Sequence, residues 1–494
     1  MPSEIPEIPN INWSLIMPAL VIVSTMLIVL IFDLFDAISK KVLGLITIVG
    51  AGIALVVSIQ MLQAGEVGTT FIKVSEVDPE AEGMFKVDSY SLFFNIIFLV
   101  STILVTLISL SYLGRDDRKQ GPYYLLILLA TLGMMLMAAG NELIIVFLGL
   151  ELMSLSLYVL AGYFRDSPAS SEAGMKYLLL GAFASAFFLY GIALIYGAIG
   201  TTSIPDIADN LTADSKSPLL FAGVFLLIVG FGFKVAIVPF HQWAPDVYEG
   251  APTTIAAFIS AGPKAAGFAA FLRIFMEALP VITQEWNMVL VVLAMLTMTV
   301  GNVIAIAQTN IKRMLAYSSI AHAGYVLIGL AAANKTGTSS AIMYLLIYCV
   351  MNIGAFGAVI LAKTADGESL MISDYAGLGF KKPLLGMLMS LMLLSLAGFP
   401  PTAGFVGKFY IFKSAVEAGH YWLVIVGAIN TAIAAFYYLR VVVTMYMREP
   451  EDELEFNPYP ATLVIGLVLA AIGVLLLGIL PSLIVDPVNA INLN

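Results

Sequence analysis

Apolar stretches of about 20 residues recur along almost the whole of the 494-residue chain, and nothing else in the sequence constrains the fold as tightly. Inside lipid every backbone N–H and C=O must be satisfied by the chain itself, and at this density of spans only α-helices do so. Composition agrees, with 60% hydrophobic residues, 11% charged residues and a mean hydropathy of +0.97. The expected fold class is an all-α integral membrane protein. Runs bounded by charge, glycine or proline give about fourteen spans, near 13–33, 42–62, 92–113, 122–140, 141–163, 175–199, 218–240, 252–278, 286–308, 314–333, 338–362, 384–413, 421–447 and 461–484.

Several functions are excluded by what the chain lacks. Its single cysteine, Cys349, builds neither a disulfide framework nor an iron–sulfur cluster, and three histidines (His241, His322, His420) leave little for haem or metal. No Walker loop, GxGxxG fingerprint or metal-ligand spacing is present. The net charge of -10 sits in loops such as 451–455, and no basic patch suits nucleic acid. No cofactor or metal is therefore expected in this chain. The start, MPSEIPEIPNINW, has acidic residues and no positive n-region, so the first apolar run is expected to stay as a helix.

Basic residues orient the spans, because cytoplasmic loops are enriched in lysine and arginine. One side collects fourteen of them, including Lys40, Lys41, Arg165, Lys176, Lys312, Arg313, Lys381, Lys382, Arg440 and Arg448. The other side has five, and Lys234, Lys264, Arg273 and Lys408 lie inside spans. This bias places both termini on the outer side of an energy-transducing membrane such as the bacterial inner membrane. The longest outer loop, 63–89, has β-prone TTFIKV and the character of a short hairpin, and the loop 363–383 reads as a lateral element or linker.

Two spans are interrupted. The seventh reads GFGFKVAIVPFHQWAP and the twelfth SLAGFPPTAGFVGKFYIF; proline removes a backbone donor and should break each helix, leaving free carbonyls. Broken helices at matching places in two halves point to an inverted repeat. The expected organisation is then 1–121 with spans one to three, 122–280 as a first five-helix repeat, 281–450 as a second, and 451–494 as a loop and the last span.

Ionisable residues at membrane depth cost about 2.5–3.5 kcal/mol each and are functional candidates by default. Glu151 lies about ten residues from either end of the fifth span, and Lys234 is its natural partner, as a working pair or as a static ion pair that only sets packing. Lys264 sits mid-span among small residues in SAGPKAAGF, too deep to snorkel, while Lys408 lies beyond the middle of the twelfth span. His322, with Ser318, Ser319 and Tyr325 nearby, reads equally as a relay between Lys264 and Lys408 and as a packed core histidine. His241, in the polar turn after Lys234, either gates protons or caps the break. Glu142 and Arg273 fall near outer span ends and read as interfacial or exit-side groups. The ordered set Glu151, Lys234, Lys264, His322 and Lys408 describes a lateral proton wire.

The stretches FKVAIVPFHQWAPDVYEGAPTTIAAFISAGPKAAGF, AYSSIAHAGYVLIG and AGFPPTAGFVGKFYIF resemble the antiporter-like subunit N family of proton-pumping NADH-quinone oxidoreductase, respiratory complex I, over essentially the full length. PDVYEGAP separates this family from its sister antiporter-like subunits. The resemblance implies that Glu151, Lys234, Lys264 and Lys408 match the family's charged positions on helices five, seven, eight and twelve. It implies a proton channel in a membrane arm, flanked by antiporter-like and small subunits and by lipid. NAD, FMN, iron–sulfur clusters and quinone would then belong to other subunits, and this chain would be a non-redox part of the translocase. A subunit of a multi-subunit cation/proton antiporter is the alternative.

Overall fold

The computed structural model describes residues 10–35, 39–72, 82–113, 120–212, 217–362, 370–450 and 459–491. The acidic loop 451–455 and several basic loop residues in the charge count lie outside them. Helices α1 (Met17–Asp33) and α2 (Lys40–Ala64) precede a small antiparallel hairpin, β1 (Gly68–Thr70) with β2 (Phe85–Val87), in the register Gly68 with Val87. The loop 63–89 therefore does carry a hairpin, built from GTT and FKV. Helix α3 (Ser89–Tyr112) starts where Asp88 accepts from the Ser91 N–H at 2.7 Å and the Ser91 hydroxyl accepts from the Asp88 N–H at 3.0 Å, a reciprocal cap.

Next come α4 (Gly121–Ala139), α5 (Leu143–Ala161), α6 (Pro168–Ile199), the short α7 (Ile204–Asn210) and α8 (Pro218–Val235). Both α6 and α8 open on Ser-Pro: the serine side chain accepts a first-turn N–H, and proline needs no partner there. The seventh span breaks after Val235, with Ala236 at φ +59°, and resumes as α9 (Trp243–Gly250). The polar turn of the sequence is thus half helix, since Pro245 lies in the first turn of α9, where no N–H partner is lost.

Then follow α10 (Thr253–Ser260), α11 (Gly262–Arg273) with a π turn at Ile274–Ala278, α12 (Thr283–Ala307), α13 (Ile311–Ala331) and α14 (Lys335–Leu361). The last group is α15 (Leu378–Lys381), α16 (Pro383–Ala397), α17 (Ala403–Glu417), α18 (Tyr421–Met447), α19 (Ala461–Ile479) and α20 (Ser482–Asn489). Residues 370–382 of the loop after α14 form a lateral element containing α15, and Met371 bridges back to Asn310.

Among the described residues twelve helices are long and apolar enough to cross a membrane; the first and twelfth expected spans appear as shorter apolar helices. The twelfth is short because Gly398, at φ +90°, and Pro400-Pro401 divide it into α16 and α17, as the prolines suggested. The eighth span differs from expectation. It is interrupted at Ala261 (φ -109°, ψ -91°), because Pro263 cannot continue a helix through its own missing N–H, and α11 starts afresh around it. The span from Thr253 to Ala278, α13 and α14 are almost wholly enclosed by the rest of the chain. These central helices carry Lys264, Arg273 and His322, and Lys234 and Lys408 lie on α8 and α17, which pack against them.

Candidate functional site

Four lysines are buried among the described residues, Lys312 in the first turn of α13 and three that the sequence places within the spans. Lys234, Lys264 and Lys408 expose 5%, 2% and 4% of their surface, which rules out snorkelling for Lys408 as well. Lys234, in the last turn of α8, donates to the Ser154 hydroxyl at 2.9 Å and to the Tyr177 hydroxyl at 3.4 Å. Its stem packs against α11 at Gly267, where any side chain would begin 3.4 Å from the Lys234 Cγ and 2.8 Å from a Val235 methyl. Gly267 lies one turn beyond Lys264, so the first two lysines are neighbours across one helix contact.

Lys264, in the first turn of α11, donates to the Ser319 carbonyl at 2.7 Å and to the Ser319 hydroxyl. The break ahead of it is tied to α14 by Asn352, which donates to the Ser260 hydroxyl at 2.6 Å. Lys408 turns back from α17 and donates to the carbonyls of Ala397 at 2.9 Å and Leu396 at 3.2 Å, the unsatisfied end of α16. The carbonyl end of a helix carries partial negative charge, so this is a favourable seat for an ammonium. At the other break the carbonyl of Phe233, which accepts the Ala236 N–H at 3.1 Å, also accepts the Trp243 indole N–H at 2.9 Å.

His322 on α13 bonds two tyrosine hydroxyls and senses the charges of the second and third lysines. Its Nδ1 is 2.7 Å from the Tyr344 hydroxyl and its Nε2 3.2 Å from the Tyr438 hydroxyl, which in turn bonds Ser318. Tyr348 lies beside the imidazole at 5.0 Å between ring centres, and the Lys264 ammonium is 5.9 Å from the Tyr348 ring. On the far side the Lys408 ammonium stands 5.0 Å from the Tyr325 ring. The arrangement can pass protons or reorient donors along a buried, aromatic-lined path.

Residues 140–434 match the family described as NADH:quinone oxidoreductase/Mrp antiporter, TM. A Trichlorobacter lovleyi protein named NADH-quinone oxidoreductase subunit N is 49% identical over 97% of this chain and 96% of its own length. The chain belongs to the subunit N family of NADH-quinone oxidoreductases. A second member of the family, subunit N 2 of Roseiflexus castenholzii, is 45% identical over 98% of this chain and 97% of its own. A chain in respiratory complex I from Thermus thermophilus with bound aureothin superposes with TM-score 0.80 at 34% identity, covering 95% of this chain and 99% of that one. The Mrp complex of Dietzia shares the fold, with TM-score 0.83 at 21% identity over 97% of this chain and 96% of that one.

Within this subunit N chain, Glu151 and Lys234 do not form the direct ion pair expected of them. Glu151, half-buried on α5, accepts from the Ser185 hydroxyl of α6, and Ser154, one turn further along α5, receives Lys234 in its place. The two charges still sense each other across this gap, and Tyr158 and Ser185 line the small cavity beside Lys234. His241 falls in the turn before α9, half-buried, and its ring Nδ1 has no hydrogen-bond partner among the described residues.

Arg273 also departs from expectation. Far from being an interfacial group, it is fully buried, with 2.9 Å contacts to both Asp88 oxygens and a 3.1 Å contact to Glu277. The capping carboxylate of α3 and the π turn of subunit N's interrupted eighth span converge on it. Sequence reasoning passed over this cluster, as it passed over the buried tyrosines around His322 and the α9 ion network. Asp246 bonds Lys176 of α6 through one oxygen and Arg313 of α13 at 2.7 Å through the other, while Glu249 takes the same guanidinium nitrogen at 2.7 Å. Burial alone would raise the Asp246 carboxyl, but Lys176 and Arg313 overbalance it and hold it below the usual carboxylate range. The signal for all three was present as polar residues inside PDVYEGAP, YLLIYCVMN and FKVDSYS.

Proposed function

We propose that this chain is a proton-translocating, non-redox subunit of the membrane arm of NADH-quinone oxidoreductase. Protons pass along Lys234, Lys264 and Lys408, with Glu151 biasing the first station and His322 bridging the last two, in step with quinone reduction in other subunits. One observation carries the reading: the ammoniums of Lys234, Lys264 and Lys408 are held by neutral hydroxyls and carbonyls rather than by a carboxylate. A carboxylate partner would fix the charge in place, as Asp88 and Glu277 fix Arg273; neutral oxygens leave the proton transferable. Moving one charge against 100 mV costs about 2.3 kcal/mol, a size that shifts in a few such contacts can supply.

In this reading the basic ends of the helices face the cytoplasm and both termini lie outside the bacterial inner membrane. NAD, FMN, iron–sulfur clusters and quinone are held by other subunits, and flanking antiporter-like and small subunits cover the lateral faces. The test is proton pumping measured with NADH:quinone activity in membranes whose assembled complex carries Lys234→Ala. Loss of both supports the relay; persistence of both would mean that the buried charges only set helix packing.

A further inference from the structure

The 8-residue helix α9 touches two lysine stations at once. At its start Trp243 stacks on Tyr177, with ring centres 4.4 Å apart and planes at 7°, and its indole N–H holds the carbonyl of Phe233, the residue before Lys234. Tyr177 is also the second acceptor of the Lys234 ammonium. Five residues on, Tyr248 directs its hydroxyl toward Ser319, the residue that holds Lys264. That hydroxyl is buried and completes no hydrogen bond among the described residues; neither does the Tyr348 hydroxyl, which approaches Ser319 from α14.

α9 is also fastened to the helix that carries Ser319. Arg313 of α13 donates to both Asp246 and Glu249, and the Lys312 ammonium donates to the Ala251 carbonyl at 2.8 Å, just past the end of α9. A displacement at Trp243 is therefore shared with Tyr248 and with α13. Packed side chains of this kind have discrete alternative arrangements rather than a continuous range.

We propose that α9 couples the Lys234 and Lys264 stations, with the Tyr248 hydroxyl as the positioning group that takes over Ser319 when the Lys264 ammonium leaves it. In the present arrangement Lys264 satisfies both Ser319 oxygens and Tyr248 is left over. Once Lys264 turns toward the next station, the Ser319 hydroxyl loses this donor inside the enclosed core, where an unmade hydrogen bond is costly. Tyr248 then donates to the Ser319 hydroxyl, so each state has its donor and the two lie close in free energy. No bond is made or broken by Tyr248 itself; it exchanges a hydrogen-bond partner.

This inference rests on the proton-relay reading above, and its test separates the two. Tyr248→Phe keeps the ring and removes only the unpartnered hydroxyl, so the complex should assemble and melt as the parent does. Proton pumping and NADH:quinone turnover in proteoliposomes should nevertheless fall at least three-fold. The double variant Tyr248→Phe with Ser319→Ala should be no slower than Ser319→Ala alone, because both remove the same exchange. Parental rates in Tyr248→Phe beside a Lys234→Ala complex that no longer pumps would overturn the coupling and leave the relay standing. A Lys234→Ala complex that pumps normally would overturn the relay and the coupling with it. Failure of Tyr248→Phe to assemble would also overturn the proposal, since the hydroxyl would then be a packing element.

Discussion

Lys408 reaches back across the break in its own span and bonds the carbonyl of Ala397 at 2.9 Å, so the group proposed to carry the proton also finishes the helix that precedes it. Station and scaffold share one contact. Lys408→Met should therefore do two things at once: abolish transfer to this station and leave the carbonyls of Ala397 and Leu396 without this donor. Unmade buried hydrogen bonds cost about 1–3 kcal/mol each. A lowered thermal midpoint of the assembled complex, together with lost pumping, is the expected result; lost pumping at an unchanged midpoint would show that the carbonyls find other donors.

Gly267 makes room for the Lys234 stem. Gly267→Ala places a methyl 2.8 Å from the Val235 Cγ1 and in contact with the Lys234 Cγ at 3.4 Å, so α8 and α11 must separate or the Val235 side chain beside the lysine must shift. Overpacking of this kind costs roughly 1–3 kcal/mol. Proton pumping should fall while both lysines remain in the sequence, which a pumping assay alongside quantification of assembled complex would register.

Arg273 belongs to the opposite class of buried cation. Arg273→Gln leaves Asp88 and Glu277 enclosed without their main partner, and stripping one member from a buried pair costs about 3–5 kcal/mol. Assembly of the subunit should be lost or sharply reduced on native gels. The residue is expected to matter for stability and not for proton transfer, so any assembled fraction should pump at the parental rate.

The Asp246 network gives a pH signature. Its carboxyl is held below the ordinary range by Lys176 and Arg313 acting against burial. A depressed folded value means that its stabilisation is complete above the unfolded value of about 3.9 and fades as pH falls through the folded value. Near neutrality the parent keeps the clamp, whereas Asp246→Asn has lost it at every pH. The pairs are partly exposed, so the difference is small, about 1 kcal/mol or less per pair. Thermal midpoints of parent and variant should differ at pH 7 and converge in strong acid.

How much of this could be read from residues alone follows from where each partner sits. Lys234, Lys264 and Lys408 stand out because each interrupts an apolar run, and depth in a span is a local property. The breaks at Pro239 and Pro400-Pro401 were legible for the same reason, and the break beside Pro263 would have been had the same rule been applied to SAGPK. What holds each lysine was not legible. Ser319 is 55 residues from Lys264, Ser154 is 80 from Lys234 and Asp88 is 185 from Arg273. Serines and tyrosines are common in membrane helices, and only packing selects the few that meet a charge. The expected Glu151–Lys234 contact failed on this point: both charges were found, but the serine one turn from Glu151 stands where the carboxylate was expected.

The two ends of α11 are unequally restrained. Arg273 bolts its last residue to α3 through Asp88, while its first residue follows the irregular joint at Ala261. Twelve residues of helix span about 18 Å, which makes α11 a lever with its fulcrum at Arg273. Lys264, third from the far end, sits where a small rotation about Arg273 would give nearly the largest displacement, whereas the hairpin, whose Lys86 lies 3.6 Å from Glu277 beside the fulcrum, would be displaced least.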